Sequence, residues 1–98
     1  MWQAVSADQA RELLLANKNI QILDLRTAGE FSEGCLIGAH NIDFLGVDFA
    51  DRLNELPKDR TYLVHCWSGK RSTAAREIFQ KLGFTGVLHL KDGIAGWV

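Results

Sequence analysis

The sequence has few of the residues that mark several classes of protein. Of its 98 residues, two are cysteine and one is proline. Cys35 and Cys66 are too few for a disulfide framework or a four-thiolate metal site. No apolar run approaches the ~20 residues that cross a bilayer, and the N-terminus lacks the pattern of a secretory signal peptide. We therefore expect a cytoplasmic protein that does not work at a membrane.

The chain also has little excess charge, with 11 basic and 12 acidic side chains and a formal net charge of −1. Nucleic-acid-binding domains are usually basic along one face, so we expect no nucleic-acid partner. The balance hides a local asymmetry, because residues 58–81 carry six basic and two acidic side chains. Cys66 lies in this segment, where positive potential lowers the pKa of a thiol and attracts small anions.

What is present is typical of a folded globular domain. Hydrophobic residues make up 47% of the chain and charged residues 23%, and the length predicts a single domain over residues 1–98. Short apolar runs predict five strands. These strands fall at residues 2–5, 20–25, 39–42, 61–65 and 87–90.

Three segments between the predicted strands have helical spacing. The first begins at a capping box formed by Ser6 and Gln9, the second ends at Pro57 and the third ends at Gly83. Their apolar positions are Ala10, Leu13 and Leu14 in the first, Leu45, Phe49, Leu53 and Leu56 in the second, and Ala75, Ile78, Phe79 and Leu82 in the third. The alternation predicts a small α/β domain whose mostly parallel sheet is covered by helices on both faces.

The strongest candidate site follows the predicted strand at residues 61–65. Ligands of open α/β sheets bind beyond the carboxyl ends of the strands, and Cys66 lies at such an end, just before the third helix. Gly69 permits a tight turn that directs N–H groups at an anion. The helix N-terminus, Lys70 and Arg71 add positive charge. The pattern favours an ionised, nucleophilic Cys66, although free cysteines are more often small buried apolar residues.

The chain resembles a single-domain rhodanese of the rhodanese-like sulfurtransferase family over nearly its whole length. Three blocks in the same order carry the resemblance. They are Leu23-Asp24-Leu25-Arg26 through Glu30-Phe31 to Ile37-Gly38-Ala39-His40-Asn41-Ile42, the loop Cys66-Trp67-Ser68-Gly69-Lys70-Arg71-Ser72, and Leu90-Lys91-Asp92-Gly93-Ile94-Ala95-Gly96-Trp97.

The resemblance implies that Cys66 is the catalytic nucleophile. It would take the outer sulfur of a donor such as thiosulfate, hold it as a persulfide, and pass it to cyanide or to a thiol, including a protein thiol. It also implies that no metal or organic cofactor takes part. The substrate-binding residues it implies are Trp67, Ser68, Gly69, Lys70 and Arg71, whose N–H groups would surround the persulfide while the two cations attract or position the donor.

Three further residues are predicted to support this site. Asp24 and Arg26 end a central strand, so we expect them near the same sheet edge as Cys66. For Arg26 we predict an ion pair with Glu30 across the turn into the next helix, whereas Asp24 fits a structural and a pocket-forming role equally well. Ser72 closes the loop that begins at Cys66.

Other reactive or aromatic residues have plainer interpretations. Adjacent strand residues point to opposite faces, so the His65 ring is predicted to turn away from the Cys66 thiol. His40 and His89 lack metal-ligand spacing, and no metal site is predicted. We predict that Cys35 is a small apolar filler rather than a thiol that resolves a persulfide. Trp67 fits packing and contact with a substrate or partner equally well.

Two competing functions remain open. The run from His65-Cys66 to Arg71-Ser72 resembles the loop of cysteine phosphatases and arsenate reductases, but four residues separate Cys66 from Arg71 instead of five. A shorter loop forms a smaller cup, which suits one sulfur atom better than a phosphoryl group. The second alternative is a sulfur-relay or protein-binding module of a larger chain.

Overall fold

The structure is a computed structural model that describes residues 1–97. Its strands are β1 (Trp2–Val5), β2 (Gln21–Asp24), β3 (His40–Asn41), β4 (Thr61–His65) and β5 (Gly86–Leu90). Its helices are α1 (Ala7–Ala16), α2 (Ala28–Glu33), α3 (Phe49–Asn54) and α4 (Lys70–Leu82), followed by the 3₁₀ helix η1 (Ile94–Gly96). Within residues 1–97, no helix has the length and apolarity to span a membrane.

All five strands are parallel and form one sheet in the order β1-β5-β4-β2-β3. β4 is therefore central, with β2 on one side and β5 on the other. The register places Asp24 of β2 beside His65 of β4, and Val64 beside His89 of β5. The carboxyl ends of these strands meet at one edge of the sheet, and Cys66 follows the central strand there.

Two apolar cores lie on the two faces of the sheet. Successive strand residues point to opposite faces, so Tyr62 and Val64 join one core while Leu63 joins the other. The first core packs against α3 and α4 through Phe49, Leu53, Ala75 and Phe79, and the second packs against α1 through Ala10, Leu13 and Leu14. The predicted α/β class, with helices on both faces, is confirmed.

Side-chain caps fix where the first two helices begin. At α1, Ser6 Oγ accepts the Gln9 N–H at 3.2 Å, and the Ser6 N–H donates to Gln9 Oε1 at 2.9 Å, as predicted. Thr27 and Glu30 form a second capping box at α2. The sequence Thr27-Ala-Gly-Glu30 has the pattern of such a box, and this pattern marks the start of α2, a helix that apolar spacing does not predict.

The second predicted helix is shorter than its apolar spacing indicated. α3 begins at Phe49, because Asp43 organises a turn in which it receives the Leu45 N–H on its side chain and the Gly46 N–H on its carbonyl. Leu45 is therefore 66% exposed instead of packed. A side chain that bonds the following backbone competes with helix formation, which apolar spacing alone does not reveal.

His65 is completely buried and makes its hydrogen bond with the backbone. Its Nδ1 lies 3.0 Å from the Cys66 carbonyl oxygen, so Nδ1 carries the hydrogen. Its Nε2 lies 3.7 Å from Asp24 Oδ2 and has no hydrogen-bond partner within residues 1–97. Burial lowers the pKa of His65 below its ordinary value, and the folded protein therefore holds this ring neutral.

This burial predicts a loss of stability under mildly acidic conditions. A histidine whose pKa is lower in the folded state binds its proton more readily when unfolded, so stability falls as pH drops below about 6.5. We expect the denaturant midpoint to fall between about pH 7.5 and about pH 5.5. The fall should be smaller in His65→Asn, which keeps a donor for the Cys66 carbonyl without a titrating group.

The matched control is His40→Asn, because His40 is exposed on the short strand β3. It should retain the full pH dependence. An equal acid-induced loss in the wild type and in His65→Asn would contradict the assignment of this effect to His65.

Candidate active site

The sulfur of Cys66 sits in a group of hydrogen-bond donors at the start of α4. The Gly69 N–H donates to Sγ at 3.1 Å and the Ser72 N–H at 3.5 Å, while Ser72 Oγ lies 3.4 Å from Sγ. Cys66 is only 1% exposed. The burial would fit an apolar filler, but the atoms around Sγ are polar and several of them are donors.

Two glycines permit the backbone path of this loop. Gly69 has φ +101°, and a Cβ atom there would overlap the carbonyl oxygen of Lys91. Gly93 has φ +67°, and a Cβ atom there would overlap the carbonyl of Trp67. Positive φ values are cheap only for glycine. The loop after β4 thus lies directly against the loop after β5, and neither position tolerates a side chain.

Hydrogen bonds from η1 and β4 hold the outer side of the same loop. The Ile94 N–H donates to the Cys66 carbonyl at 3.0 Å and the Ala95 N–H to the Trp67 carbonyl at 2.9 Å. His65 Nδ1 also donates to the Cys66 carbonyl. These bonds hold the carbonyl groups of Cys66 and Trp67 on the side of the loop that faces away from Sγ.

The donors change the acidity of the Cys66 thiol. Burial alone raises the pKa of Cys66, but hydrogen bonds from the Ser72 hydroxyl and from the N–H groups of Ser72, Gly69 and Ser68 outweigh it. The net effect is a pKa below the ordinary value of a cysteine. Backbone and hydroxyl dipoles therefore favour the thiolate, as expected for a sulfur at a helix N-terminus.

The two cations of the loop have different surroundings. Arg71 forms a two-pronged ion pair with Glu30, with Nη1–Oε1 at 2.7 Å and Nη2–Oε2 at 3.1 Å. Hydrogen bonds from Arg71 hold the pKa of Glu30 down at about 2. Lys70 is exposed at the first position of α4. Arg71 thus ties α2 to the start of α4, and Lys70 keeps its charge in solvent.

The predicted ion pair between Arg26 and Glu30 is wrong. Arg26 instead bonds Asp24, with Nε–Oδ1 at 3.0 Å and Nη2–Oδ2 at 2.7 Å, and also donates to the Gly34 carbonyl at 2.7 Å. The Arg26 N–H donates to Asp24 Oδ1 as well. Both side chains are buried, where a charge needs a partner. Asp24 therefore stabilises the turn after β2, which supports its structural interpretation.

One contact behind the sulfur is not predicted by the sequence pattern. Ser72 Oγ lies 2.7 Å from Nε2 of His89, a buried side chain of β5. The strand register accounts for this contact, because His89 is paired with Val64 and therefore lies on the face of the sheet that α4 covers. Local sequence pattern does not give that register. The contact links β5 to Cys66 through one hydroxyl group.

A wide cleft lies beside the loop, and the Trp67 side chain forms part of its wall. It has a volume of about 560 Å³ and is lined in part by Trp67, Trp97, Glu33 and Cys35. Trp67 is 54% exposed, which supports contact with a ligand or partner over packing. Cys35 is exposed on the wall of this cleft. The prediction that Cys35 is an apolar filler is therefore wrong, because the turn after α2 leaves it at the surface.

The structure thus combines a parallel α/β sheet with a cysteine whose sulfur accepts N–H bonds at the start of a helix. The family model for the rhodanese-like domain matches residues 6–98. The chain belongs to the rhodanese-like family.

Individual relatives agree with this membership. A sulfurtransferase of Allochromatium vinosum is 28% identical over 99% of this chain and 89% of its own length. The thiosulfate sulfurtransferase GlpE of Pseudomonas aeruginosa is 30% identical over 98% of this chain and 84% of its own length. The crystal structure of a rhodanese-like domain protein from Staphylococcus aureus superposes with a TM-score of 0.86 at 27% identity, covering 98% of this chain and 91% of that one.

Some relatives are much longer than this chain. The match to the probable adenylyltransferase/sulfurtransferase MoeZ of Mycobacterium tuberculosis, at 29% identity, covers 95% of this chain and only 24% of the relative. Relatives of both lengths carry the word sulfurtransferase in their names, which supports a rhodanese-type sulfurtransferase family for this chain.

The ion pair between Glu30 and Arg71 predicts a measurable coupling. Glu30→Gln removes one charge of a two-pronged pair and should lower the free energy of unfolding by about 0.5–1 kcal/mol. Arg71→Gln should cost a similar amount. The double variant should lose little more than either single one, because the two side chains act as one unit.

Denaturant unfolding at neutral pH measures all three variants. Glu33→Gln is the matched control, since Glu33 is exposed at the end of the same helix, and it should unfold like the wild type. Additive losses in the double variant would show that the two side chains stabilise the fold independently.

Proposed function

We propose that the protein is a sulfurtransferase in which Cys66 carries sulfane sulfur as a persulfide. One observation carries the proposal: Sγ of Cys66 receives N–H groups of Gly69 and Ser72 at the start of α4. These donors lower the pKa of the thiol against the effect of burial. A thiolate is the nucleophilic form of cysteine. The same donors can stabilise the negative charge of the thiolate and of the persulfide anion.

The reaction proceeds in two displacements. The Cys66 thiolate attacks the outer sulfur of thiosulfate, a sulfur–sulfur bond forms at Sγ, and sulfite leaves with the electron pair of the broken bond. An acceptor, either cyanide or a thiolate, then attacks the outer sulfur of the persulfide, and Cys66 leaves as the thiolate. Donors directed at the sulfur stabilise the negative charge at each stage.

Size and charge at the site favour a small anionic donor. Cys66 is almost fully enclosed by its loop, which suits one sulfur atom and disfavours bulky groups. Exposed Lys70 supplies positive charge beside the loop, where it attracts anions over a distance set by ionic strength. Thiosulfate matches both features, and the name of the relative GlpE agrees with it.

The decisive test is intact mass spectrometry after incubation with thiosulfate. We expect the wild-type protein to gain the mass of one sulfur atom and to lose it when cyanide is added. Cys66→Ala should gain nothing, because it lacks the nucleophile. Cys35→Ser is the matched control, since it removes the other thiol, and it should gain the sulfur as the wild type does.

Two outcomes of this experiment would contradict the proposal. If thiosulfate, mercaptopyruvate and a small-molecule persulfide all fail to add sulfur to Cys66 in the folded protein, the proposal is wrong. Sulfur found on Cys35 alone would also overturn the assignment of Cys66.

A sulfur-relay role in a larger protein is the second candidate, and the match to about a quarter of MoeZ favours it. Both candidates need the Cys66 persulfide. They differ in the acceptor, because a relay module passes its sulfur to a protein group instead of to a small thiol. Persulfide that forms readily, yet leaves slowly with cyanide and with small thiols, would favour the relay role.

The competing phosphatase function yields an independent prediction. The loop has one residue fewer between Cys66 and Arg71 than the phosphatase loop, and the Arg71 guanidinium is already paired with Glu30. We therefore expect no hydrolysis of an aryl phosphate above that of the Cys66→Ser control. Hydrolysis that this substitution abolishes would favour the phosphatase function instead.

A further inference from the structure

Behind the nucleophile, three side chains form a continuous line of polar contacts. Cys66 Sγ lies 3.4 Å from Ser72 Oγ, which in turn lies 2.7 Å from His89 Nε2. Cys66, Ser72 and His89 are at most 5% exposed. Such a line has few alternatives for its hydrogen atoms, because solvent has little access to it.

The single hydrogen of the Ser72 hydroxyl has three acceptors within reach. They are the Gly69 carbonyl at 3.2 Å, Sγ at 3.4 Å and, if it carries no hydrogen, His89 Nε2 at 2.7 Å. If Nε2 is bare, this shortest contact takes the hydroxyl hydrogen, and the oxygen turns its lone pairs toward Sγ. A thiolate would then face another electron-rich atom.

The opposite arrangement serves the thiolate. If Nε2 carries the hydrogen, it donates to Ser72 Oγ, and the hydroxyl hydrogen is left with the Gly69 carbonyl and Sγ as acceptors. Of these two, a negatively charged sulfur is the stronger acceptor. The ring also stays neutral, because burial and then the charge of Arg76 on α4 lower the pKa of His89. From β1, the Trp2 ring packs against the imidazole with 5.1 Å between ring centroids. The His89 ring is thereby neutral and held in place.

We propose that His89 is a positioning residue, which as the neutral Nε2–H tautomer directs the Ser72 hydroxyl hydrogen at the sulfur of Cys66. The inference deepens the proposed function, since it concerns the same nucleophile. It differs from a merely structural role in one respect, because it predicts that a donor at this position matters more than the volume of the side chain.

The test compares two substitutions of similar size and shape. His89→Gln keeps an N–H donor near the position of Nε2, whereas His89→Met fills similar space without a donor. The pH titration of the Cys66 thiolate is followed by its ultraviolet absorbance in a Cys35→Ser background. We expect the midpoint to rise by about half a unit to one unit in His89→Met, which is about three- to tenfold less thiolate below the midpoint. His89→Gln should stay near the wild type.

Further variants test the route through the hydroxyl. Ser72→Ala should raise the midpoint at least as much as His89→Met, and the double variant should show no added effect, because the two residues act in series. His40→Met is the control for an exposed histidine and should titrate like the wild type. The absorbance reads the sulfur directly, so these outcomes do not depend on whether thiosulfate loads it.

A measurement on the unaltered protein covers the case in which His89→Met does not fold. Imidazole nitrogen NMR at neutral pH should show hydrogen on Nε2 of His89 and none on Nδ1. A bare Nε2, equal midpoints for His89→Met and the wild type, or a His89→Gln midpoint as high as that of His89→Met would each overturn the proposal.

Discussion

The start of α4 depends on a sulfur atom as its hydrogen-bond acceptor. The first N–H groups of a helix have no partner inside the helix, and a side chain at the N-cap usually accepts one of them. Here the N-cap is Gly69, which has no side chain, and Cys66 Sγ accepts the N–H groups of Gly69 and Ser72 instead. The helix therefore gains from negative charge on Sγ, and the thiolate gains from the helix. The nucleophile and the local fold stabilise each other.

The charged side chains near the site serve mainly to hold this arrangement. Arg26 is held by Asp24 and Arg71 by Glu30, so the full charges are largely balanced where they stand. What remains directed at the sulfur is a set of backbone N–H groups and one hydroxyl. Such dipoles are fixed by the fold before any substrate arrives and need little rearrangement during reaction. This explains how a domain with almost no net charge can keep the pKa of a buried thiol low.

The sequence revealed those features that local pattern determines. The alternation of strands and helices, the Ser6 cap, the Gly83 stop and the position of Cys66 at the carboxyl end of a strand all follow from residues close together in the chain. The pairing of Glu30 with Arg71, 41 residues apart, does not. It depends on how the sheet brings α2 and α4 together, and local spacing predicts the nearer partner Arg26, which is wrong. The contact of Ser72 with His89 likewise depends on the register of β4 against β5, which no local pattern encodes.

The geometry of the peptide bond explains why residues near the C-terminus belong to the site. In a trans peptide the N–H and the carbonyl point in opposite directions, so each N–H turned toward Sγ leaves a carbonyl pointing away that also needs a partner. The peptide between Trp67 and Ser68 shows this: its N–H helps to lower the pKa of Cys66, and its carbonyl accepts the Ala95 N–H at 2.9 Å. Gly93 makes the approach possible, since a side chain there would strike that same carbonyl. The segment after β5 is therefore the outer half of the structure that keeps the donors around Cys66 turned inward.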